Sequence, residues 1–196
     1  MKKIPTVFKR EFEGHKITAI TPEFTSPEVK DAFINGTATV KFDGACCAIL
    51  NGLMYKRFDA KPGRKIPEGA IPCGDPDPIT GHNPHWVPVL VDNPADKWFI
   101  AADSNYFADH PEVIDINHTF EAIGPHFQGN PYNLEKDILV PHGRKIAEVE
   151  RTFEGVKRWL EDHNEEGLVF WIYGEPVCKI KRSDFGLPFP VREVTG

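Results

Sequence analysis

Residues 37–58 read TATVKFDGACCAILNGLMYKRF, and the fold turns on how this stretch is parsed. Thr37 to Phe42 is rich in β-branched residues, Ala45 to Leu50 is a short apolar run, and Leu53 to Phe58 is another. Valine and threonine lose side-chain freedom in a helix and pack well on a pleated surface, so the first run reads as a strand. Asn51-Gly52 separates the other two. Both residues accept positive φ, which a two-residue type I′ turn demands, so the pair predicts a β-hairpin. In that register Leu50 faces Leu53, and Cys46 faces Arg57.

The segment from Lys61 to Pro94 is dense in proline and glycine and is predicted to be an ordered, mostly irregular loop. Loops of that length inside a compact domain tend to carry function. Trp98 to Ala102 and Thr119 to Ile123 read as further strands. Apolar residues at Ile146, Val149, Phe153, Val156 and Leu160 are three or four apart, which predicts one amphipathic helix over 144–160. Gly167 to Tyr173 and Val177 to Ile180 read as a closing hairpin around Gly174-Glu175-Pro176. The expected fold is α+β with mostly antiparallel strands, a single domain over 1–196 with its core at about 37–187.

Composition narrows the function classes. The chain has 196 residues, 40% hydrophobic and 27% charged, enough to bury a core without disulfide or metal support. Its longest uninterrupted apolar runs, Ala45 to Leu50 and Leu168 to Tyr173, are six residues each, whereas a membrane-spanning helix needs roughly 18 or more. Met1 to Pro5 carries charges with no apolar stretch behind them, so no secretory signal is expected. The four cysteines form neither a disulfide framework nor a C-x-x-C clip, which fits a reducing, cytoplasmic setting. A net charge of −6 argues against coating nucleic acid by bulk charge. Two cationic patches stand out against that background: Lys56, Arg57, Lys61, Arg64 and Lys65, and then Lys179, Lys181 and Arg182. Taken alone, either reads as solvated surface; together they point to a local anion site.

The chemistry lies in four short segments. Lys41-Phe42-Asp43-Gly44 follows a predicted strand, and by itself K-x-D-G recurs by chance. Glu121 lies in the apolar strand Thr119 to Ile123, Glu166 opens the strand from Gly167, and Val177-Cys178-Lys179-Ile180-Lys181 sends two lysines to one strand face and Cys178 and Ile180 to the other. The spacings from Lys41 onward are 80, 45 and 13 residues to Glu121, Glu166 and Lys179. A lysine that attacks phosphorus must lose its proton, although its free pKa is near 10.4. Neighbouring cations favour the amine, and paired lysines also stabilise the negative charge that gathers on the phosphoryl oxygens.

In this order the segments resemble motifs I, III, IV and V of the covalent nucleotidyltransferases, the superfamily of ATP-dependent DNA and RNA ligases and mRNA capping enzymes. The closer resemblance is to the 5′-to-3′ RNA ligase family, through Lys41 to Cys47, Lys56 to Pro67 and Ile123 to Tyr132. It implies an antiparallel-sheet nucleotidyltransferase (ligase adenylation) domain; because few residues follow motif V, no appended oligonucleotide-binding domain is expected, which weakens the DNA-ligase and capping-enzyme readings. It also implies catalytic roles for Lys41, Lys179 and Lys181, and ATP contacts from Val40, Lys41, Asp43, Gly44, Arg57, Glu121, Lys179 and Lys181. Glu121 is expected to accept a ribose hydroxyl, and Glu166 to hold Mg²⁺ or Mn²⁺. The implied reaction joins RNA 5′-phosphate and 3′-hydroxyl ends through lysyl–AMP.

Two departures from the superfamily pattern matter. Its motif I continues to an arginine five residues after the lysine, where this chain has Cys46. Arg57 either supplies that guanidinium from the neighbouring strand or is an exposed strand arginine. No aromatic is placed to stack on adenine, and Asp137 to His142 offers aliphatic cover instead. His82, His85, His126 and His142 fall in expected loops without zinc spacing and read as contacts to RNA or solvent. Cys46 and Cys47 read as small strand fillers on opposite faces. Two alternatives stay open: another lysyl-nucleotidylate enzyme (a DNA ligase or a protein AMP-transferase), or a nucleotide or RNA-end binding module that has lost catalysis.

Overall fold

The computed structural model describes residues 3–14, 16–112 and 117–191. In chain order the elements are β1 (Phe8–Glu13), β2 (Lys16–Phe24), α1 (Pro27–Asn35), β3 (Thr37–Lys41), β4 (Ala45–Leu50), β5 (Leu53–Ala60), β6 (Ile71–Pro72), β7 (Asn83–Pro88), α2 (Lys97–Asp109), β8 (His118–Ile123), β9 (Ile138–Pro141), α3 (Phe153–Asp162), β10 (Gly167–Ile172) and β11 (Glu175–Lys181). The strands pair antiparallel throughout, in keeping with the α+β expectation. Two compact units result, one built on Asp43–His142 and the other on Ile4–Phe42 with the chain from Gly143 onward. The chain passes from one to the other inside the K-x-D-G segment, between Phe42 and Asp43. Among the described residues no helix is long and apolar enough to cross a membrane.

The 43–142 unit is a six-stranded sheet in the order β6-β7-β5-β4-β8-β9. The Asn51-Gly52 turn forms as read, with φ of 51° and 73°, and the hairpin register runs from Leu50↔Leu53 to Cys47↔Lys56. One face of the sheet buries Cys47, Ile49, Phe120, Ala122 and Leu139 against Ala102 and Tyr106 of α2 and against Phe127. Lys56 lies on the opposite side of β5 from Arg57 and pairs with Asp96, whose side chain is fully buried. Asp96 also accepts from the Leu90 amide (3.1 Å) and from Asn93 Nδ2 (3.0 Å), which fastens the turn that leads into α2.

The other unit carries the three-stranded sheet β11-β10-β3 and the β1-β2 hairpin. Val40, Leu168, Ile180, Ala38, Phe170 and Cys178 occupy one face of the sheet and join Phe8, Val29, Phe33, Val156 and Leu160 in a core covered by α1 and α3. Each helix starts on a side-chain cap: Ser26 accepts from the Val29 amide at 3.2 Å, and Thr152 from the Gly155 amide at 2.9 Å.

Four local expectations are corrected. Trp98 to Ala102 is not a strand but the start of α2. A short apolar run has no diagnostic period, and continuing the window shows Phe99, Ala102 and Tyr106 spaced three and four apart on the buried side. The predicted 144–160 helix begins only at Phe153. Before it, Lys145 O accepts from the Val40 amide and the Ala147 amide donates to Ala38 O, so this segment completes the free edge of β3, and Ile146 is exposed. The supposed loop 61–94 contains β6 and the largely buried strand β7, which places His85 in a strand rather than a loop. The closing hairpin turns at Tyr173-Gly174, both at positive φ, one residue earlier than expected.

Lys56→Ala should cost about 3 kcal/mol of stability by stranding a buried carboxylate, whereas Arg57→Ala, whose partner Asp59 is half exposed, should cost under about 1 kcal/mol. Denaturant unfolding of both variants checks this; equal losses would contradict the two-faced reading of β5.

Candidate active site

In the three-stranded sheet, Gly167 on the central strand is directly opposite both Lys41 on β3 and Lys181 on β11. Two residues along, Val169 is opposite Thr39 and Lys179. Side chains at i and i+2 share a face, so Lys41, Lys179 and Lys181 project from the face opposite the core. The space between the two outer lysines is open because Gly167 has no side chain. It also could not have one, since a Cβ there would lie 2.1 Å from Ile180 O. Glu166, the residue before β10, is buried and fills the gap electrostatically: Oε2 pairs with Lys41 Nζ and Oε1 with Lys181 Nζ.

Lys179 has its pKa lowered to about 8. Burial is the main cause, followed by the ammonium groups of Lys181 and Lys41, against the opposing pull of Glu166. The burial follows from the chain near the N-terminus: the Val7 amide donates to Lys179 O (2.8 Å) and the Lys179 amide to Pro5 O (3.0 Å), so that segment runs along β11. One carboxylate cannot neutralise three lysines, and the surplus positive charge suits a polyanion. Both oxygens of Glu166 already face ammonium groups, so a divalent ion bound there would need phosphate oxygens and water to complete its shell. The Val40 side chain takes no part in this cluster, because it belongs to the core on the other face.

On the 43–142 unit, Val140, Glu121 and Cys46 are successive cross-strand partners, and Arg57, Trp86 and Ile71 are another such series. The β4-β5 pairing ends at Cys47↔Lys56, and the next residue outward on each strand, Cys46 and Arg57, interact electrostatically. Glu121 is tightly held. Its Oε1 accepts from the Gly44 amide at 3.0 Å, and its Oε2 is 3.0 Å from His142 Nε2. His142 is fixed in turn by Thr119 Oγ1, 2.9 Å from Nδ1. The Asp43 amide donates to the Tyr132 hydroxyl at 2.6 Å. Gly44 is required by close approach, since a Cβ would lie 2.2 Å from Ala122 O. Burial, with Glu121 nearby, pushes the Cys46 thiol up to about 12 although Arg57 opposes the shift, so Cys46 stays protonated and is no nucleophile. Arg57 Nε donates to Asp59 Oδ1 at 2.8 Å.

The structure thus brings Lys41, Lys179, Lys181 and Glu166 together at one sheet, and Glu121 and Arg57 onto another, with Asp43 and Gly44 in the connection that leads into its strand β4. Sequence reasoning missed His142, Thr119 and Tyr132 as the supports of Glu121 and Asp43. The signal for His142 was present, because it follows β9 at the i+2 position from Val140, the cross-strand partner of Glu121. His126, read as an RNA or solvent contact, instead stacks on Trp98 with ring centres 3.3 Å apart and bonds Asp137 at 2.7 Å.

No protein-family model matches the chain. Comparison with curated proteins finds RNA ligases. RNA ligase 1 of Mus musculus is 27% identical over 271 residues, which takes in 97% of this chain and 82% of the mouse protein. The Rattus norvegicus protein of the same name matches to the same extent, and that of Danio rerio is 26% identical, over 98% of this chain and 83% of its own length. These similarities support an RNA ligase function. They support assigning the chain to the RNA ligase family, as its motifs suggest.

Lys179 also makes a pH prediction. Its folded value of about 8 lies below the 10.5 of a free lysine, so between these values the unfolded chain binds the extra proton and stability rises with pH. Below about 8, folding carries the full cost of burying the charge. Lys179→Met should therefore raise the unfolding temperature near neutral pH, with the gain fading as pH approaches about 10. Thermal unfolding across that range tests it, and a gain independent of pH would assign the effect to packing.

Proposed function

We propose that this chain is an ATP-dependent RNA ligase that joins 5′-phosphate and 3′-hydroxyl RNA ends through a lysyl–AMP intermediate on a nucleotidyltransferase fold. The observation that carries this reading is the cluster in which Lys41 and Lys181 share the Glu166 carboxylate, with Lys179 beside them. Lys41 is the nucleophile. Its amine attacks the α-phosphorus of ATP, a phosphoamide forms, and pyrophosphate leaves. An RNA 5′-phosphate oxygen then takes the AMP from Lys41, and a 3′-hydroxyl attacks the activated 5′ end to release AMP.

Lys179 and Lys181 stabilise the charge that develops on the transferring phosphoryl group. Glu166 orients Lys41 and Lys181 before nucleotide arrives. With ATP, Glu166 would hold Mg²⁺ or Mn²⁺ together with phosphate oxygens, and the ion would offset phosphate charge. Glu121, preset by His142 and the Gly44 amide, accepts a ribose hydroxyl. Arg57 replaces the missing motif I arginine as a bidentate donor to phosphate, for which its fork is better suited than the single ammonium of lysine.

Incubation with ATP and Mg²⁺ should add one AMP to Lys41, through a bond labile to acid and stable to alkali. Intact mass measurement decides it: no adduct on the wild type after pyrophosphatase treatment, or an adduct that persists in Lys41→Ala, removes the ligase reading. In the same assay Arg57→Ala should slow adduct formation by about 10²- to 10³-fold, while Cys46→Ala keeps its rate. The enzyme should also seal nicked RNA and act poorly on all-DNA ends; comparable rates on the two would contradict the RNA assignment.

A further inference from the structure

Of the five basic residues at positions 56–65, two are accounted for: Lys56 by the buried Asp96 and Arg57 by Asp59. The other three, Lys61, Arg64 and Lys65, are exposed, and no ion pair involves them among the described residues. They stand out by clustering within five residues on a chain whose net charge is −6, whereas the other exposed cations without an acid among the described residues, Lys30, Lys97 and Arg144, are isolated. Its other exposed cations often find acids, as in Lys9–Glu23, Lys136–Asp109, Lys145–Glu165 and Arg158–Glu150. Glu68 is the one acid between residues 60 and 74.

The three cations sit on a built turn rather than a loose loop. The Arg64 amide donates to Lys61 O at 3.0 Å, Pro62 occupies the first corner, and Gly63 has φ of +74°. These are the requirements of a type II turn. The Pro62 ring lies against Gly81, whose Cβ would come within 3.0 Å of it, so the turn is seated on the neighbouring turn closed by Gly81 N to Asp77 O at 2.8 Å. Asp77, the acid of that support, is already engaged by Lys3 Nζ and by the amides of Ile79 and Thr80. A seated turn whose three cations form no ion pair among the described residues holds them at little ordering cost, which favours binding of an extended polyanion.

We propose that the Lys61–Lys65 turn grips the phosphate backbone of the RNA substrate, outside the groups that handle the nucleotide. The proposal rests on the RNA ligase reading and extends it. The turn directly follows β5, and Lys61 is four residues beyond Arg57, about 13 Å along an extended chain. RNA held at the turn is therefore gripped at a distance from Arg57, by charge and without reading its bases.

The test measures binding of a fluorescent single-stranded RNA oligonucleotide to the full chain by anisotropy over a range of salt concentrations. Because the protein is acidic, the wild type should show a shallow slope of log affinity against log salt, of about −2 for three phosphates on a single strand. Lys61→Ala/Arg64→Ala/Lys65→Ala should abolish most of that slope and lose about 10-fold or more in low-salt affinity. Its AMP adduct should form at the wild-type rate. The charge-preserving triple Lys61→Arg/Arg64→Lys/Lys65→Arg should bind as the wild type does.

A triple-alanine variant with wild-type slope and affinity overturns the proposal while leaving the ligase reading intact. So does a charge-preserving triple that loses as much as the alanine triple, or polyglutamate that displaces RNA at equal charge concentration. Failure of the wild type to bind RNA at any salt overturns the ligase reading and this proposal together.

Discussion

The Glu166 carboxylate, shared between Lys41 and Lys181, is the interaction on which the proposed chemistry depends. Three lysines on one sheet face repel one another, and burial disfavours the charge of Lys179 further. A single buried carboxylate makes the cluster tolerable without neutralising it. It can do so only because Gly167 leaves the row between the two outer strands clear, where a methyl group would collide with Ile180 O. The Glu-Gly pair is thus one device: the glycine opens the space, and the acid beside it supplies the counter-charge.

The opposite face of the same sheet explains why the arrangement holds. Alternation puts Val40, Leu168 and Ile180 into a core shared with Phe8, Phe33 and Leu160, while their neighbours Lys41, Gly167 and Lys181 stay on the working face. A one-residue slip of either pairing would bury a lysine and expose an isoleucine or valine, so the hydrophobic core enforces the lysine register. The cost of clustered charge is borne by packing on the other side.

The 43–142 unit solves a related problem with hydrogen bonds. Glu121 is fixed by an amide on one oxygen and an imidazole on the other, and that imidazole is fixed by a threonine. Such a preset carboxylate loses little freedom on meeting a ligand hydroxyl. Gly44, in the motif that also carries Lys41, has no side chain for the same reason as Gly167: a neighbouring carbonyl occupies the space. The motif glycines of this chain serve close approach rather than flexibility.

Local sequence was enough where local rules decide. The Asn51-Gly52 turn set the β4-β5 register, and strand alternation divided Lys179 and Lys181 from Cys178 and Ile180. It was not enough where the outcome depends on a distant partner. The apolar start of α2 became a helix because its i, i+3, i+7 face had a sheet to cover, and 145–147 stayed extended because the edge of β3 offered carbonyl and amide partners worth more than another helical turn. His142 looked like a loop residue until β9 paired beside Glu121. Periodicity and turn chemistry act within a few residues and are legible in the chain. Edge pairing, shared counter-ions and the supports of a carboxylate join groups far apart in the chain, Lys41 and Glu166 being 125 residues apart, and only the tertiary structure could decide them.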